Sequence, residues 1–401
     1  MLIQSKVRGF ICTTAHPSGC AQHVLEQIQY VKSQPAITGG PKKVLIIGGS
    51  TGYGLASRIV TAFGAQAQTI GVFFERPAQG NRTASPGWYN TAAFEKEAAA
   101  AGLYAKSING DGFSDEIKQQ TLELIEKDWG GGVDLLIYSL ASPRRIHPQT
   151  GVLFQSVLKP IGEQPYTNKT IDVTTGAVST VTIETATAKE IEDTVAVMGG
   201  EDWMMWIDAL REKNLLADGI QTLAYSYIGP KLTDPIYTKG TIGQAKKHLA
   251  ATSKLIQEKL KPMGGNAYVA INKALVTQAS AAIPVVPLYI SLIYKIMKAQ
   301  GIHEGCIEQM YRLYKHCLYR TDQKVALDAS GLIRIDDWEL AEAVQKEVEV
   351  LWEQVDSANV EQRTDLAGYR HDFYKLFGFE VAGIDYTKDS VIEVAIPSIN
   401  G

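Results

Sequence analysis

A glycine-rich segment follows a short apolar run near the start of the chain, and its spacing could hold a phosphate. The run Lys43–Ile47 predicts a buried strand, and residues 48–54, GGSTGYG, follow it directly. The periodic segment after them predicts a helix, whose free N–H groups and positive dipole end attract anions. Glycines at 48, 52 and 54 let the backbone turn sharply and approach a pyrophosphate. The segment therefore predicts a dinucleotide site, although a tight turn without a ligand would also use glycines.

A carboxylate at the end of the second apolar run bears on which dinucleotide binds. Glu75 closes the predicted strand Thr69–Phe74. A carboxylate at this place accepts hydrogen bonds from the adenosine ribose and disfavours a 2′-phosphate, which favours NADH over NADPH. Arg76 weakens this inference, because an arginine can accept that phosphate. Asp111, in the turn after the third strand, could contact adenine or be a plain turn residue.

Tyrosine–lysine pairs are the next candidates for chemistry. The GxxxGxG spacing of residues 48–54 is typical of the short-chain dehydrogenase/reductase superfamily, which usually pairs Tyr with Lys four residues later on one helix face. Candidates of about this spacing follow the sixth predicted strand, too late in chain order, and we expect them to be faces of amphipathic helices. They are Tyr294/Lys298, Tyr311/Lys315 and the region Tyr369–Lys375.

Tyr237 and Lys246 form the better pair, because they follow the fifth predicted strand. Nine residues of continuous helix would put the two side chains about 180° apart, so they converge only if Tyr237 precedes the helix. Gly240 disfavours helix before this point. Thr241 and Gln244 predict a capping box with Thr241 as the N-cap. Lys246 then lies just over one turn inside the helix, and Tyr237 lies in the preceding loop.

The elements that must position these residues alternate between strand and helix patterns. Helical patterns at 55–63 and 114–129 separate short apolar runs. This alternation predicts an α/β fold with a Rossmann-type, doubly wound parallel sheet. The predicted strands are 43–47, 69–74, 103–108, 133–140, 222–228 and 266–271.

One insertion interrupts this alternation. TIDVT and VSTVTIE, on either side of a Thr175–Gly176 turn, predict an inserted β-hairpin that forms a substrate cap with flanking helices. We expect residues 1–401 to form a single large α/β domain, with a helix near Val24–Ser33. Its expected parts are an N-terminal leader (1–40), a dinucleotide-binding core (41–142 and 215–300), the inserted cap (143–214) and a mostly helical C-terminal part (301–401).

Motifs along nearly the whole chain resemble one enzyme family. Tyr237 and Lys246 match a Tyr-x8-Lys hallmark, and the chain resembles the trans-2-enoyl-CoA/enoyl-acyl-carrier-protein reductases of the FabV/TER type. Gly49 and Gly112 stand where alanine is expected, a small change that leaves the cofactor inference intact. Further family-like stretches are RGFICTTAHPSGC (8–20), STGYGLASR (50–58), GWYNTAAF (87–94), SINGDGFSDE (107–116), YSLASPRR (138–145), MGGEDWMMWI (198–207), AYSYIGP (224–230), VTQASAAIPVVPLYIS (276–291) and GIHEGCIEQ (301–309).

The resemblance implies NADH-dependent reduction of the C2=C3 double bond of a trans-2-enoyl thioester, in fatty acid synthesis. Hydride goes to C3, and the Tyr237 phenol would stabilise the negative charge that builds on the thioester oxygen. Lys246 would hold the nicotinamide ribose and, as a nearby cation, lower the pKa of Tyr237. The family also uses a second tyrosine, here Tyr227, at the end of the fifth strand.

The resemblance also implies the remaining contacts. The backbone of residues 139–141 would lie beside the adenosine ribose, and residues 275–277 would contact the nicotinamide amide. Ile283 and Leu288, in the following lid helix, would contact the acyl chain. The expected NADH-binding residues are Gly48, Ser50, Thr51, Gly52, Tyr53, Gly54, Phe74, Glu75, Asp111, Gly112, Ser139, Leu140, Ala141, Lys246, Leu275, Val276 and Thr277.

Composition excludes several classes of protein. Hydrophobic residues make up 45% and charged residues 20%, which excludes a mainly disordered chain. A net charge of −4 gives no basic field for nucleic acid. Four cysteines are too few for a disulfide scaffold, and no secretory signal is visible, so we expect a cytoplasmic protein. The most apolar stretch, 281–297, is too short and too interrupted to span a membrane.

Some alternatives stay open. Cys12, His16, Cys20 and His23 could bind zinc, but their spacing matches no known finger pattern, so we expect no metal. A ketone-reducing short-chain dehydrogenase and a non-catalytic NAD(H)-sensing protein remain alternative functions. The substrate carrier could be coenzyme A or acyl-carrier protein. Because the insertion could cover faces that related enzymes use in tetramers, we expect a monomer.

Overall fold

The strands form one large sheet and three two-stranded hairpins in the computed structural model, which describes residues 1–320 and 324–400. The strands are β1 (Val7–Arg8), β2 (Ile11–Cys12), β3 (Lys43–Ile47), β4 (Gln68–Phe73), β5 (Ala105–Asn109), β6 (Val133–Tyr138), β7 (Arg144–Ile146), β8 (Leu153–Gln155), β9 (Tyr166–Ile171), β10 (Val178–Ile183), β11 (Leu216–Ser226), β12 (Asn266–Ile271) and β13 (Ile333–Arg334). Seven parallel strands form the large sheet, in the order β13-β12-β11-β6-β3-β4-β5. The expected α/β, doubly wound sheet is confirmed.

Helices connect and cover these strands. Two helical stretches continue as π-helical turns, Val60–Gly64 after α2 and Leu313–Leu318 after α10. The helices are α1 (Pro17–Ser33), α2 (Gly52–Ile59), α3 (Pro86–Ala100), α4 (Asp115–Trp129), α5 (Ala188–Met198), α6 (Glu201–Glu212), α7 (Thr241–Leu260), α8 (Gln278–Ala281), α9 (Val286–Ala299), α10 (Cys306–Arg312), α11 (Glu342–Gln354), α12 (Val360–Arg363), α13 (Leu366–Lys375) and α14 (Pro397–Asn400).

Both faces of the central strands β3, β4 and β6 are buried, which explains why these strands are apolar without alternation. In β3, Val44 and Ile46 join a cluster with α1, α2, α3 and α10, and Leu45 and Ile47 join a cluster with α4, α6 and α7. The chain order of the strands reverses between β3 and β6. In such sheets a crevice opens beyond the carboxyl ends of the strands at this point, where ligands bind.

The predicted strands are present, with shifted ends. β3 and β12 have the predicted bounds, whereas the fifth strand of the sheet, β11, begins earlier, at Leu216, before an irregular register between Leu216 and Gln221. The sequence did not predict β13, which adds a strand from the C-terminal part beside β12. Its two residues are too few to show a periodic pattern.

The inserted hairpin is confirmed, but its first strand is Tyr166–Ile171 rather than TIDVT. The strand ends early because the Asp172 carboxylate accepts hydrogen bonds from the backbone N–H groups of Thr174 (2.8 Å) and Thr175 (3.1 Å) and so forms the turn itself. A second hairpin, β7–β8, precedes it and was not predicted.

The two ends of the chain pack on the core. α1 begins at Pro17, earlier than predicted, and packs against α3. Helices make up less than half of the described residues from 301 onward, fewer than the mostly helical part that we expected. This part returns along α3, where the Trp88 indole donates to the Val394 carbonyl (2.7 Å). The division of residues 1–401 into parts stays a prediction. Among residues 1–320 and 324–400, no helix has the length and apolar character needed to cross a membrane.

Candidate active site

A cavity of about 800 Å³ opens beyond the carboxyl ends of β3, β4, β6 and β12. Its position is the crevice that the reversal of strand order creates. Most of the residues expected to bind NADH line it. They are Gly48, Ser50, Thr51, Gly52, Tyr53, Phe74, Glu75, Asp111, Gly112, Ser139, Leu140, Ala141, Leu275, Val276 and Thr277.

The glycine-rich turn brings its backbone close to the neighbouring strand. Gly48 has a positive φ of 91°, and a Cβ there would lie 2.5 Å from the Ser139 carbonyl oxygen. Gly54 does not line the cavity, but it packs so closely that a Cβ would overlap the Gly48 carbonyl. Tyr53 fixes the turn to the end of β12 by donating to the Lys273 carbonyl (2.6 Å). These contacts fit the close approach of a dinucleotide pyrophosphate to the start of α2.

Glu75 lies just after β4 and lines the cavity. Its carboxylate accepts a hydrogen bond from the Ser50 hydroxyl (2.7 Å), and its backbone exchanges hydrogen bonds with the Asn109 amide (2.8 and 2.9 Å). Burial raises the pKa of Glu75, and the hydrogen bonds from Ser85 and Ser50 lower it. Phe74 is 78% exposed at the rim. The fixed carboxylate suits a ribose diol.

A buried lysine holds the loop that contains Asp111 and Gly112. The Lys118 ammonium donates to the carbonyls of Gly112 (3.3 Å) and Phe113 (2.9 Å) and pairs with Asp202 (2.7 Å). The Asp111 carboxylate accepts from the Phe113 N–H (3.0 Å), so this residue also shapes the turn. The ion pair joins α4 to α6 in the inserted region.

The N-terminal end of α7 differs from the expected capping box. Gly240, in extended conformation, is the N-cap, and the Thr241 hydroxyl instead donates to the carbonyl of Val157 in the inserted region. The prediction that Thr241 caps its own helix is therefore wrong, because its hydroxyl bonds to a residue outside the helix. Tyr237 does precede the helix and Lys246 does lie inside it.

Lys246 and Tyr227 both reach the carboxyl end of β11. The Lys246 ammonium donates to the Tyr225 carbonyl (3.3 Å), and desolvation lowers the pKa of Lys246 to about 8. Tyr227 packs edge to face on Tyr237, with ring centroids 4.9 Å apart. These three residues do not line the 800 Å³ cavity, and among the described residues no hydrogen bond joins Lys246 to Tyr237. They lie along the same edge of the sheet.

The pKa of Tyr237 shifts in the direction opposite to the expected one. Burial of the hydroxyl raises it, whereas the sequence-based expectation was that Lys246 would lower it. Desolvation dominates because the Lys246 ammonium is directed to the Tyr225 carbonyl. The phenol of Tyr237 therefore keeps its proton near neutral pH.

The residues expected to contact an acyl chain lie in apolar surroundings. Leu288, in α9, is fully buried in one hydrophobic cluster, and Ile283 packs against that cluster. Tyr227 packs against the same cluster. Neither Ile283 nor Leu288 lines the cavity, so their contact with substrate stays a prediction.

Sequence reasoning missed the far wall of the cavity, which three helices build. His23 lies on α1, Cys306 and Glu308 on α10, and Lys375 at the end of α13. The Lys375 ammonium pairs with Glu26 (2.8 Å) and closes this wall. The family-like stretch GIHEGCIEQ (301–309) was the signal that pointed here, but the spatial neighbours are far apart in sequence.

The side chains considered for zinc, and Arg145 at the start of the inserted region, have structural partners nearby. His16 accepts from the Gly19 N–H (3.2 Å) at the start of α1, and the Cys12 thiol donates to the Thr14 carbonyl (3.2 Å). The part of the chain that the structure describes holds no group of three or more His, Cys, Asp or Glu side chains suited to a metal ion. Arg145 is 1% exposed and pairs with Glu201 (2.6 Å).

Three family models match successive parts of the chain. Residues 2–80 match the NAD(P)H binding domain of trans-2-enoyl-CoA reductase, residues 82–319 the trans-2-enoyl-CoA reductase catalytic region, and residues 327–390 an enoyl reductase FAD binding domain.

Similar proteins match over nearly the whole chain. An enoyl-[acyl-carrier-protein] reductase [NADH] of Coxiella burnetii is 67% identical over 400 residues, covering 100% of this chain and 98% of that protein. The crystal structure of Treponema denticola trans-2-enoyl-CoA reductase with NAD has a TM-score of 0.94 at 50% identity, covering 98% of both chains. That of the Clostridium acetobutylicum trans-2-enoyl-CoA reductase with NADH has a TM-score of 0.95 at 44% identity, with the same coverage.

The segment that matches the FAD model does not fit a flavin dinucleotide. Three helices, α11, α12 and α13, begin within residues 327–390. α11 and α12 carry Glu342 and Glu361 in their first turns. Asp365 is the N-cap of α13, and its carboxylate already accepts from the Gly368 N–H (3.0 Å). Carboxylates at these positions repel a pyrophosphate. We assign no flavin chemistry to this segment.

Proposed function

The chain belongs to the trans-2-enoyl-CoA reductase family, and we propose that it uses Tyr237, Lys246 and Tyr227 to reduce its substrate. Its reaction is the NADH-dependent reduction of the C2=C3 double bond of a trans-2-enoyl thioester. Family membership sets aside the ketone-reducing and sensing alternatives. The observation that best supports the residue roles is the contact of Tyr227 with Tyr237 at the carboxyl end of β11.

Tyr237 acts on the substrate oxygen. Bound NADH supplies the hydride that goes to C3 of the enoyl thioester. Negative charge then builds on the thioester oxygen, and a phenol hydrogen-bonds that oxygen more strongly in the transition state than in the ground state. The Tyr237 hydroxyl suits this role because a phenol is protonated near neutral pH and can donate to the oxygen, and burial, which raises its pKa, does not remove that proton.

Lys246 holds the cofactor rather than the substrate. Its ammonium reaches the end of β11, where it donates to the Tyr225 carbonyl (3.3 Å). With NADH bound, it would donate hydrogen bonds to the nicotinamide ribose. Tyr227 supports Tyr237 and borders the acyl chain, with Ile283 and Leu288 in the adjoining apolar cluster.

The residues that line the cavity would hold NADH. The glycine turn and the N-terminal end of α2 hold the pyrophosphate. Glu75 accepts hydrogen bonds from the adenosine ribose, which favours NADH over NADPH. Phe74 borders the adenosine at the rim. We expect the remaining contacts to be Asp111 and Gly112 at adenine, residues 139–141 at the adenosine ribose and residues 275–277 at the nicotinamide amide. All of these residues line the cavity.

The names of the relatives support an inference about the carrier, whereas the proposed assembly rests on the inserted region. The relatives are named for acyl-carrier protein and for CoA, so we infer that both enoyl-CoA and enoyl-acyl-carrier protein serve as substrates, in fatty acid synthesis. We propose a cytoplasmic monomer that binds neither nucleic acid nor membrane. Light scattering tests the assembly: a mass near 43.8 kDa is expected, and a multiple of it contradicts the proposal.

Isotope labelling tests the reaction itself. NADH deuterated at the transferred position of the nicotinamide should place deuterium at C3 of the butyryl-CoA formed from crotonyl-CoA. Unlabelled NADH in D₂O should place deuterium at C2. Acetoacetyl-CoA is the matched control for ketone reduction. Faster NADH oxidation with acetoacetyl-CoA than with crotonyl-CoA would contradict the proposed reaction.

A further inference from the structure

Glu339 is a fully buried carboxylate at the edge of the proposed active site. It lies between β13 and α11, in the segment that matches the FAD model. Its Oε1 accepts hydrogen bonds from the Tyr227 hydroxyl (2.9 Å) and the Tyr289 hydroxyl (2.7 Å). Its Oε2 accepts from the backbone N–H of Ala274 (2.6 Å). Burial of a carboxylate is costly unless such partners compensate.

The three donors connect two parts of the site that are far apart in sequence. Tyr227 is the tyrosine at the end of β11, and Ala274 directly precedes residues 275–277, which line the cavity. Burial raises the pKa of Glu339, while the ammonium of Lys273, itself 2% exposed, and the three hydrogen bonds partly offset this rise. Three donors and a neighbouring cation suit the ionised carboxylate, which can only accept.

The Glu339 carboxylate fixes where the Tyr227 proton points, because that hydroxyl donates to its Oε1 (2.9 Å). A hydroxyl that donates to the carboxylate cannot donate to the substrate at the same time. The hydroxyl oxygen can then only accept from other groups. The Tyr227 ring contacts that of Tyr237, with centroids 4.9 Å apart, so a fixed Tyr227 also orders Tyr237.

We propose that Glu339 is a positioning residue for enoyl-thioester reduction, fixing the Tyr227 phenol and the Ala274 amide relative to each other. This inference rests on the role proposed above for Tyr227. Gln345 stabilises the position of Glu339, since its side-chain amide donates to the Tyr289 hydroxyl (3.0 Å) and to the backbone carbonyl of Glu339 (2.7 Å). Residues of the segment 327–390 thus position groups of the proposed active site.

Glu339→Gln is the sharpest test because the amide keeps the size of the side chain. If its oxygen stays on the Ala274 N–H, its NH₂ group faces Tyr227 and forces that hydroxyl to accept. The Tyr227 proton then turns toward the reacting groups. We expect kcat with crotonyl-CoA to fall about tenfold, with KM and the NADH Kd unchanged. Tyr289→Phe, the matched control on the same carboxylate oxygen, should leave kcat close to wild type.

A double-mutant cycle separates positioning from a structural role. Glu339→Gln should lower kcat in the wild-type background and cause no further loss in Tyr227→Phe. Equal losses in both backgrounds, or a wild-type kcat for Glu339→Gln, would overturn this inference alone. A wild-type kcat for Tyr227→Phe would overturn the proposed role of Tyr227 and this inference with it. If Glu339→Gln does not fold, Glu339→Asp enters the same cycle, with the same coupling expected.

Discussion

Tyr227 and Tyr237 meet edge to face, with ring centroids 4.9 Å apart and an interplanar angle of 82°. The turn between them produces this contact. Gly229 has a positive φ of 80°, and a Cβ there would lie 2.8 Å from the ring of Tyr227. The Thr238 hydroxyl closes the turn by donating to the Ile228 carbonyl (2.9 Å). A short loop thus brings two phenols ten residues apart to one edge of the sheet.

The pH dependence of cofactor use should report Lys246. Its pKa is about 8, lowered by desolvation from an ordinary value of 10.5, so the free enzyme loses this ammonium as pH rises through about 8. We expect kcat/KM for NADH to fall over this range. The same shift makes the fold more stable as pH rises from about 8 toward 10.5, because the unfolded chain then binds more protons.

A second lysine requires a control in this experiment. Burial also lowers the pKa of Lys273 to about 8. Lys246→Met should give a low kcat/KM that no longer falls through pH 8, whereas Lys273→Met should keep the fall. A fall that persists in Lys246→Met would contradict the role proposed for Lys246.

Glu75 should set the preference for NADH. Glu75→Gln removes the charge that excludes a 2′-phosphate, so we expect KM for NADH to rise about tenfold and the discrimination against NADPH to fall. Gly87→Ala should reproduce this effect, since its Cβ would overlap the Glu75 carboxylate. Arg76→Ala is the control and should leave the preference for NADH unchanged. If the preference changes in Arg76→Ala but not in Glu75→Gln, Arg76 decides it.

The buried pair Lys118–Asp202 should contribute strongly to stability. Among the described residues, Lys118→Met leaves the buried Asp202 carboxylate with the Tyr138 hydroxyl (3.1 Å) as its remaining side-chain hydrogen-bond donor. We expect the free energy of unfolding in urea to fall by about 3–5 kcal/mol. Lys159→Met, which breaks a pair whose side chains are 31% and 27% exposed, should cost at most about 1 kcal/mol. Similar losses in both variants would contradict this prediction.

The sequence predicted the sheet and the cofactor side of the site because those signals are local. Each strand is a short apolar run that ends in glycine or polar residues, and the loops after β3, β4 and β6 carry the binding residues. Tyr237 could be placed before α7 from Gly240 alone, even though the expected cap at Thr241 was wrong.

Contacts between distant segments could not be predicted. Glu339 reaches Tyr227 across 112 positions, and Lys375 pairs with Glu26 on the far wall of the cavity. Thr241 lost its capping role to Val157, 84 positions away. The shift in the pKa of Tyr237 depends on burial, which a linear pattern does not report. Such features arise only when the whole chain is packed.

The loss of NADH absorbance with crotonyl-CoA, compared between wild type and Tyr237→Phe, tests the central claim most directly. Phenylalanine keeps the ring and removes the hydroxyl that would stabilise the thioester oxygen. We expect rapid oxidation by the wild type, a kcat about 10²–10³-fold lower in the variant, and an unchanged NADH Kd. Turnover by Tyr237→Phe close to the wild-type rate would contradict the assignment of Tyr237 to the reaction.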